Sequence, residues 1–129
     1  RIRFLPRVTQ EIDILNLMNI ADVLLDPVPF SGGITTLDAL AVGTPIITLP
    51  GYFPHSLLTA ACYRLMGMDM FVPQTKKDYV AMALKVTHDH VFADLFRQTI
   101  LTNCSVIYEN RESIRELEHQ LKNICFKKL

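Results

Sequence analysis

DPVPFSGGITTLDALAVGTPIITL, residues 26–49, is the stretch around which the rest of the chain is arranged. Just ahead of it, Val23, Leu24 and Leu25 form a short apolar run stopped by Asp26-Pro27-Val28-Pro29. That reads as a buried strand ended by residues that cannot continue a ladder. Ser31-Gly32-Gly33 supplies a turn free of Cβ constraints, after which Leu37, Leu40 and Ala41 recur at i, i+3, i+4 as the buried stripe of a short helix. Gly43 ends that helix and Thr44-Pro45 favours extended backbone, so Ile46 to Leu49 reads as the next strand. The order predicts a right-handed βαβ unit whose helix N-terminus opens at the carboxyl end of a parallel sheet.

A helix start with unpaired N–H groups and a partial positive charge suits phosphate, above all where glycines let an anion reach the backbone. Thr35 and Thr36 stand where their N–H groups and hydroxyls would meet such an anion. Asp38 lies on the same side of the first turn, one step deeper, where a carboxylate suits the paired hydroxyls of a ribose better than a diphosphate. A purely structural role fits the same residues: glycine turns precede helices for packing alone, and an early Asp stabilises the helix dipole by about 0.3 to 1 kcal/mol. The three spaced glycines of dehydrogenases and the Gly-Lys-Ser/Thr of phosphate loops are both missing from the stretch.

Working outward, Ile2-Arg3-Phe4-Leu5 looks like a strand, and its start directly on Arg1 suggests the interior of a longer protein. Thr9 is a candidate N-cap for a helix carrying Ile14, Leu17, Met18 and Ala21 on one face. Pro50 to Pro54 forms a loop on the same sheet edge as the Ser31 turn, so the two loops make a crevice wall. His55 or Ser56 starts the next helix, with Leu58, Ala61, Cys62 and Leu65 as its stripe, and His55 can reach a phosphate across the crevice or simply cap the helix in solvent. Met70-Phe71-Val72 reads as a short strand, and Tyr79, Met82, Ala83 and Val86 as the stripe of a helix begun by two solvated lysines, Lys76 and Lys77. His88-Asp89-His90 lacks evident partner ligands and reads as a polar connection. Phe92, Leu95, Phe96 and Ile100 mark a further helix, and Ile114, Leu117, Leu121 and Ile124 line one seam of a last helix from about Asn110.

At 129 residues, half of them hydrophobic, the chain is the size of one domain with one core, and no repeat or flexible linker divides residues 1–129. Thirteen basic and thirteen acidic residues cancel, so nothing favours nucleic acid or an anionic membrane surface. There is neither an 18-residue apolar run nor a basic-then-apolar leader, which argues against insertion or secretion of this segment. Cys62, Cys104 and Cys125 are odd in number and set in apolar helical patterns, which fits buried free thiols in a reducing, cytoplasmic compartment.

SGGITTLDALAVGTPIITLPG, with FLPRVTQEIDILNLMNIADVLLDP before it, resembles the C-terminal nucleotide-sugar domain of the O-linked N-acetylglucosamine transferases and their bacterial tetratricopeptide-linked relatives. The resemblance runs from Arg1 to about Asp89 and more loosely beyond. It implies the GT-B architecture, in which two Rossmann-like domains face across a cleft, with this chain as the C-terminal, UDP-sugar-binding half. The fold expected is therefore α/β, a doubly wound parallel sheet of about four strands. The resemblance assigns the UDP diphosphate to Gly32, Gly33, Thr35 and Thr36, the ribose to Asp38, and the loop beside the uracil to Pro6, Arg7 and Val8. Ser31, Ile34 and His55 stand at the margin of that site; Ile34 offers the phosphates only its backbone. The implied reaction is transfer of N-acetylglucosamine from UDP to a protein Ser or Thr hydroxyl, with no metal cofactor. The acceptor site and much of the catalytic machinery are expected from the missing N-terminal GT-B domain and the cleft, with tetratricopeptide repeats beyond it, so no residue here is assigned as a base and the segment alone should bind without turnover. Two alternatives stay open: a non-hydrolysing sugar-nucleotide epimerase, which would be expected to carry Glu where Thr36 and Leu37 stand, and a non-catalytic nucleotide-sugar-binding or scaffold domain.

Overall fold

Two parallel strands form where the apolar runs flank the glycine turn: β1 (Leu24–Leu25) pairs with β2 (Ile46–Ile47) in the register Leu24 to Ile46 and Leu25 to Ile47. The computed structural model describes residues 2–108 and 110–126, so Arg1, on which the interior-start reading rests, lies outside the described residues. The Leu24 N–H donates to the Pro45 carbonyl at 2.8 Å and the Asp26 N–H to the Ile47 carbonyl at 2.9 Å, which carries the ladder one residue beyond β1. The inter-strand helix is α2 (Ile34–Ala41), closed by Gly43 at φ 78°, a left-handed conformation that suits glycine.

The other edge of β2 is covered by a side chain. The hydroxyl of Tyr63, on α3 (Leu58–Leu65), donates to the Ile46 carbonyl and accepts from the Ile46 N–H, both at 2.9 Å, doing for that residue what a neighbouring strand would do. This bridge sets the face that α3 buries. Thr59, Ala60, Cys62 and Tyr63 point inward, whereas Leu58 and Leu65 of the expected stripe are exposed and Ala61 is half-buried. On α2 the buried face is likewise Thr36, Ala39 and Leu40; Leu37 is half-buried and Ala41 exposed.

α1 (Glu11–Ile20) starts after Gln10 rather than Thr9 and is held at its far end by the Thr44 hydroxyl, which donates to the Met18 carbonyl at 2.8 Å. α4 (Lys76–His88) is capped by Thr75, whose side chain accepts from the Asp78 N–H, and its inward residues Tyr79, Met82, Ala83 and Val86 are those the spacing predicts. Asp89 caps α5 (His90–Asn103) by accepting from the Phe92 N–H at 3.0 Å, which gives the His88-Asp89-His90 segment a structural role. Phe96 and Ile100 of α5 are fully buried while Leu95 is exposed; burial of side chains this size contributes about 1.5 to 3 kcal/mol each. α6 (Ser105–Tyr108) returns to the βαβ unit, where the Tyr108 hydroxyl donates to the Leu37 carbonyl.

Two expected strands are not formed. Among the described residues Ile2 to Leu5 has no ladder partner, and it exposes its side chains, with Phe4 93% exposed. Asp69–Phe71 closes instead into a 3-10 turn, which seats the Phe71 ring on Phe96 with centroids 3.9 Å apart. The described sheet thus has two parallel strands, and the chain is mostly helical. α7 (Glu112–Phe126) keeps the predicted seam, but Ile114, Leu117, Leu121 and Ile124 are all exposed.

Candidate functional site

The glycine turn leaves β1 at Asp26 and enters α2 over an open cavity of about 480 Å³, walled by Asp26, Phe30, Ser31, Gly32, Gly33, Thr35 and Thr36 and floored by apolar side chains including Leu24 and Ile46. Of the residues singled out from sequence, Ser31, Gly32, Gly33, Thr35 and Thr36 are brought together here. Asp38, half-buried further along α2, does not line the cavity, nor do Ile34, whose side chain is 77% exposed, His55, Arg7 or Val8.

Which donors remain free decides what the turn can hold. The Gly32 N–H donates to Asp26 Oδ1 at 3.0 Å, and both the N–H and the hydroxyl of Ser31 donate to the His55 carbonyl at 3.1 Å. The Thr36 N–H donates to the Gly33 carbonyl at 3.0 Å, and its hydroxyl is paired with that of Thr59 at 3.1 Å in the interior. Among the described residues the N–H groups of Gly33, Ile34 and Thr35 have no partner, nor does the exposed Thr35 hydroxyl. These are consecutive orphan donors of a helix N-terminus, the arrangement that binds phosphate or carboxylate. Gly32 is required for another reason: a Cβ there would lie 2.4 Å from Thr36 Oγ1 and 3.1 Å from Thr35 Oγ1. Gly33 faces open space, so an approaching anion meets no side chain.

The surroundings are tied together by hydrogen bonds and ring stacking. The Tyr79 hydroxyl donates to the Asp26 carbonyl at 2.8 Å, and burial, assisted by the nearby Asp26 charge, raises its phenol above the usual range so that it stays a donor. Burial also raises the Tyr63 phenol and the Cys62 thiol, which keeps the thiol protonated and unreactive. His55 is stacked between Phe30 and Phe53, with centroid distances of 5.0 and 5.5 Å, an exposed aromatic ledge beside the cavity. His88 Nδ1 lies 2.8 Å from the Leu84 carbonyl, and no group of three metal-ligating side chains exists among the described residues. No described helix is long and apolar enough to cross a membrane.

Two residues that shape the site, Asp26 and Thr59, carry no functional signal in the sequence pattern. Asp26 reads as a strand stop, although an acid between a strand and a glycine turn is well placed to pin that turn. Nothing in the pattern joins Thr59 to Thr36, 23 residues away.

A parallel βαβ unit whose glycine turn presents free N–H groups over a cavity at the sheet's carboxyl edge defines the class of fold. The chain belongs to glycosyl transferase family 41, whose sequence profile matches residues 2–117. It is 26% identical over 117 residues to the probable UDP-N-acetylglucosamine–peptide N-acetylglucosaminyltransferase SPINDLY of Hordeum vulgare, covering 91% of this chain and 11% of that protein. It is 25% identical over 104 residues to the UDP-N-acetylglucosamine–peptide N-acetylglucosaminyltransferase of Caenorhabditis elegans, covering 79% of this chain and 9% of that one. Its fold superposes on a variant of the Thermobaculum terrenum O-GlcNAc transferase with a TM-score of 0.69 and 28% identity, covering 84% of this chain and 22% of the other. The chain therefore spans about a tenth of the length of the curated relatives it matches.

Proposed function

We propose that this chain is the donor-binding part of a glycosyltransferase that moves N-acetylglucosamine from UDP to a Ser or Thr hydroxyl of a protein. The observation that carries this reading is the run of unpartnered N–H groups at Gly33, Ile34 and Thr35, opening onto a cavity beneath a glycine turn. The diphosphate sits there, with the Thr35 hydroxyl as a further donor, Gly33 leaving room for it and Gly32 fixing the turn beneath the two threonines. The helix N-terminus supplies roughly half an elementary positive charge without any basic residue or metal. Thr36 acts indirectly, by holding the helix start through Thr59. Asp38 receives the ribose hydroxyls, and Arg7 and Val8 border the uracil.

In this reading residues 1–129 form one Rossmann-like unit, the carboxyl-terminal half of a GT-B architecture with a doubly wound sheet completed in the whole protein. A facing N-terminal domain with tetratricopeptide repeats brings the acceptor and the general base. The setting is cytoplasmic, consistent with three free cysteines among the described residues. The chain binds and orients the donor and leaves proton transfer to groups outside it. Calorimetric titration with UDP and UMP tests the reading: UDP should bind at least tenfold more tightly, and equal affinities would show that the second phosphate finds no seat. The same chain should release no UDP from UDP-N-acetylglucosamine above a Thr35→Ala background.

A further inference from the structure

Asp26, at the carboxyl end of β1, lines the cavity and is only 7% exposed. Its Oδ1 accepts from the Gly32 N–H, while Oδ2 is shielded from water and has no partner among the described residues. A carboxylate has about four lone-pair sites, and leaving a buried one empty destabilises the free protein. Such an orphan calls for an explanation, and a site that a ligand completes is one. Position narrows the explanation. The carboxylate is hydrogen-bonded to the residue just before the first free N–H of the anion seat. A negative group there repels a bare anion and favours one that brings its own hydrogen-bond donor. Thr48 provides an internal comparison: its Oγ1 is also buried and unpartnered, yet Thr48 does not line the cavity.

We infer that Asp26 is a specificity-determining residue: its free carboxylate oxygen accepts a hydrogen bond from a hydroxyl of the phosphorylated ligand, so the cavity prefers a hydroxyl-bearing diphosphate to inorganic pyrophosphate. This rests on the nucleotide-sugar reading above. The last torsion of an Asp side chain is broad, so a modest swing presents Oδ2 to the ligand while the turn stays pinned. A site built to pair a hydroxyl discriminates strongly against an analogue lacking it, because its own buried acceptor is then left unpaired.

The experiment is calorimetry on the full chain and its Asp26→Asn and Thr48→Val variants, each with UDP-N-acetylglucosamine, UDP and pyrophosphate. Asp26→Asn keeps an acceptor for the Gly32 N–H and replaces the free acceptor with a donor. It should weaken UDP-N-acetylglucosamine at least tenfold and leave pyrophosphate unchanged or tighter. A parallel loss with UDP places the hydroxyl on the ribose, shared with Asp38; a loss confined to UDP-N-acetylglucosamine places it on the sugar. Thr48→Val should alter none of the three. Equal effects of Asp26→Asn on all three ligands, or none, overturn the inference while leaving the donor reading intact. Failure of the wild-type chain to bind UDP or its sugar overturns both. Should Asp26→Asn not fold, Asp26→Glu replaces it: the same charge on a longer stem displaces the free oxygen, so UDP-N-acetylglucosamine should weaken relative to pyrophosphate, and an equal effect on both would refute the role.

Discussion

Replacing Tyr63 by Phe removes one oxygen atom and isolates the contribution of the bridge to β2. Tyr63 is fully buried, and its hydroxyl is the partner of both the N–H and the carbonyl of Ile46, each at 2.9 Å. A neutral hydrogen bond contributes about 0.5 to 1.5 kcal/mol net, and a buried group left unpaired costs about 1 to 3 kcal/mol. Relaxation of the strand edge recovers part of this, so the expected loss is about 2 to 4 kcal/mol, a large share of a typical domain stability of about 5 to 15 kcal/mol. Urea unfolding at neutral pH should show a lower midpoint with an unchanged slope. The pH profile gives an independent check. Burial raises the folded Tyr63 phenol above its ordinary value of 10.0, so above pH 10 the unfolded chain loses a proton that the folded chain keeps. The stability this contributes is complete below pH 10 and is lost as pH rises toward the folded value; Tyr63→Phe should reduce that alkaline fall, leaving the parts due to Tyr108, which burial pushes up to about 12, and to Tyr79 and Cys62, which burial also raises. A loss under about 0.5 kcal/mol at neutral pH, the scale of an ordinary surface change, would refute the idea that Tyr63 stands in for a strand.

Gly43→Ala forces a Cβ into a φ of 78° and within 2.7 Å of Leu101 Cγ, so thermal unfolding should report a loss of about 1 to 3 kcal/mol. Unchanged melting would mean that the end of α2 can rebuild itself. Asp38→Asn should weaken UDP at least tenfold, since about 1.4 kcal/mol is a factor of ten and a charged acceptor contributes about 1.5 to 3 kcal/mol. Pyrophosphate should bind the same variant no worse, and equal losses for both ligands would reduce Asp38 to a helix-dipole role.

What the sequence made legible follows from how local each cause is. The βαβ unit was readable because Pro27, Pro29, Gly43 and Pro45 limit the backbone within a few residues of where they stand, and both strands and α2 fall inside the expected spans. The α4 stripe was readable because Thr75 caps the helix and its apolar period is uninterrupted. The inward face of α3 was not, because a phenol 17 residues beyond Ile46 supplies the polar partner that fixes its rotation. Ile2 to Leu5 has a strand's composition but no partner in the described chain, and composition does not provide one. At the site, the glycines and threonines were visible, but their division into free and engaged donors depends on Asp26, His55 and Thr59, contacts made across 6 to 24 residues.

The central claim is that the first turn of α2 holds the diphosphate through backbone N–H groups. Backbone amide resonances of the ¹⁵N-labelled chain, followed as UDP is added, test it most directly. The account predicts saturable shifts that are largest at Gly33, Ile34 and Thr35 and smaller at Thr36, whose N–H is already bonded to Gly33. UDP binding that moves residues elsewhere and leaves Gly33, Ile34 and Thr35 unshifted would contradict it.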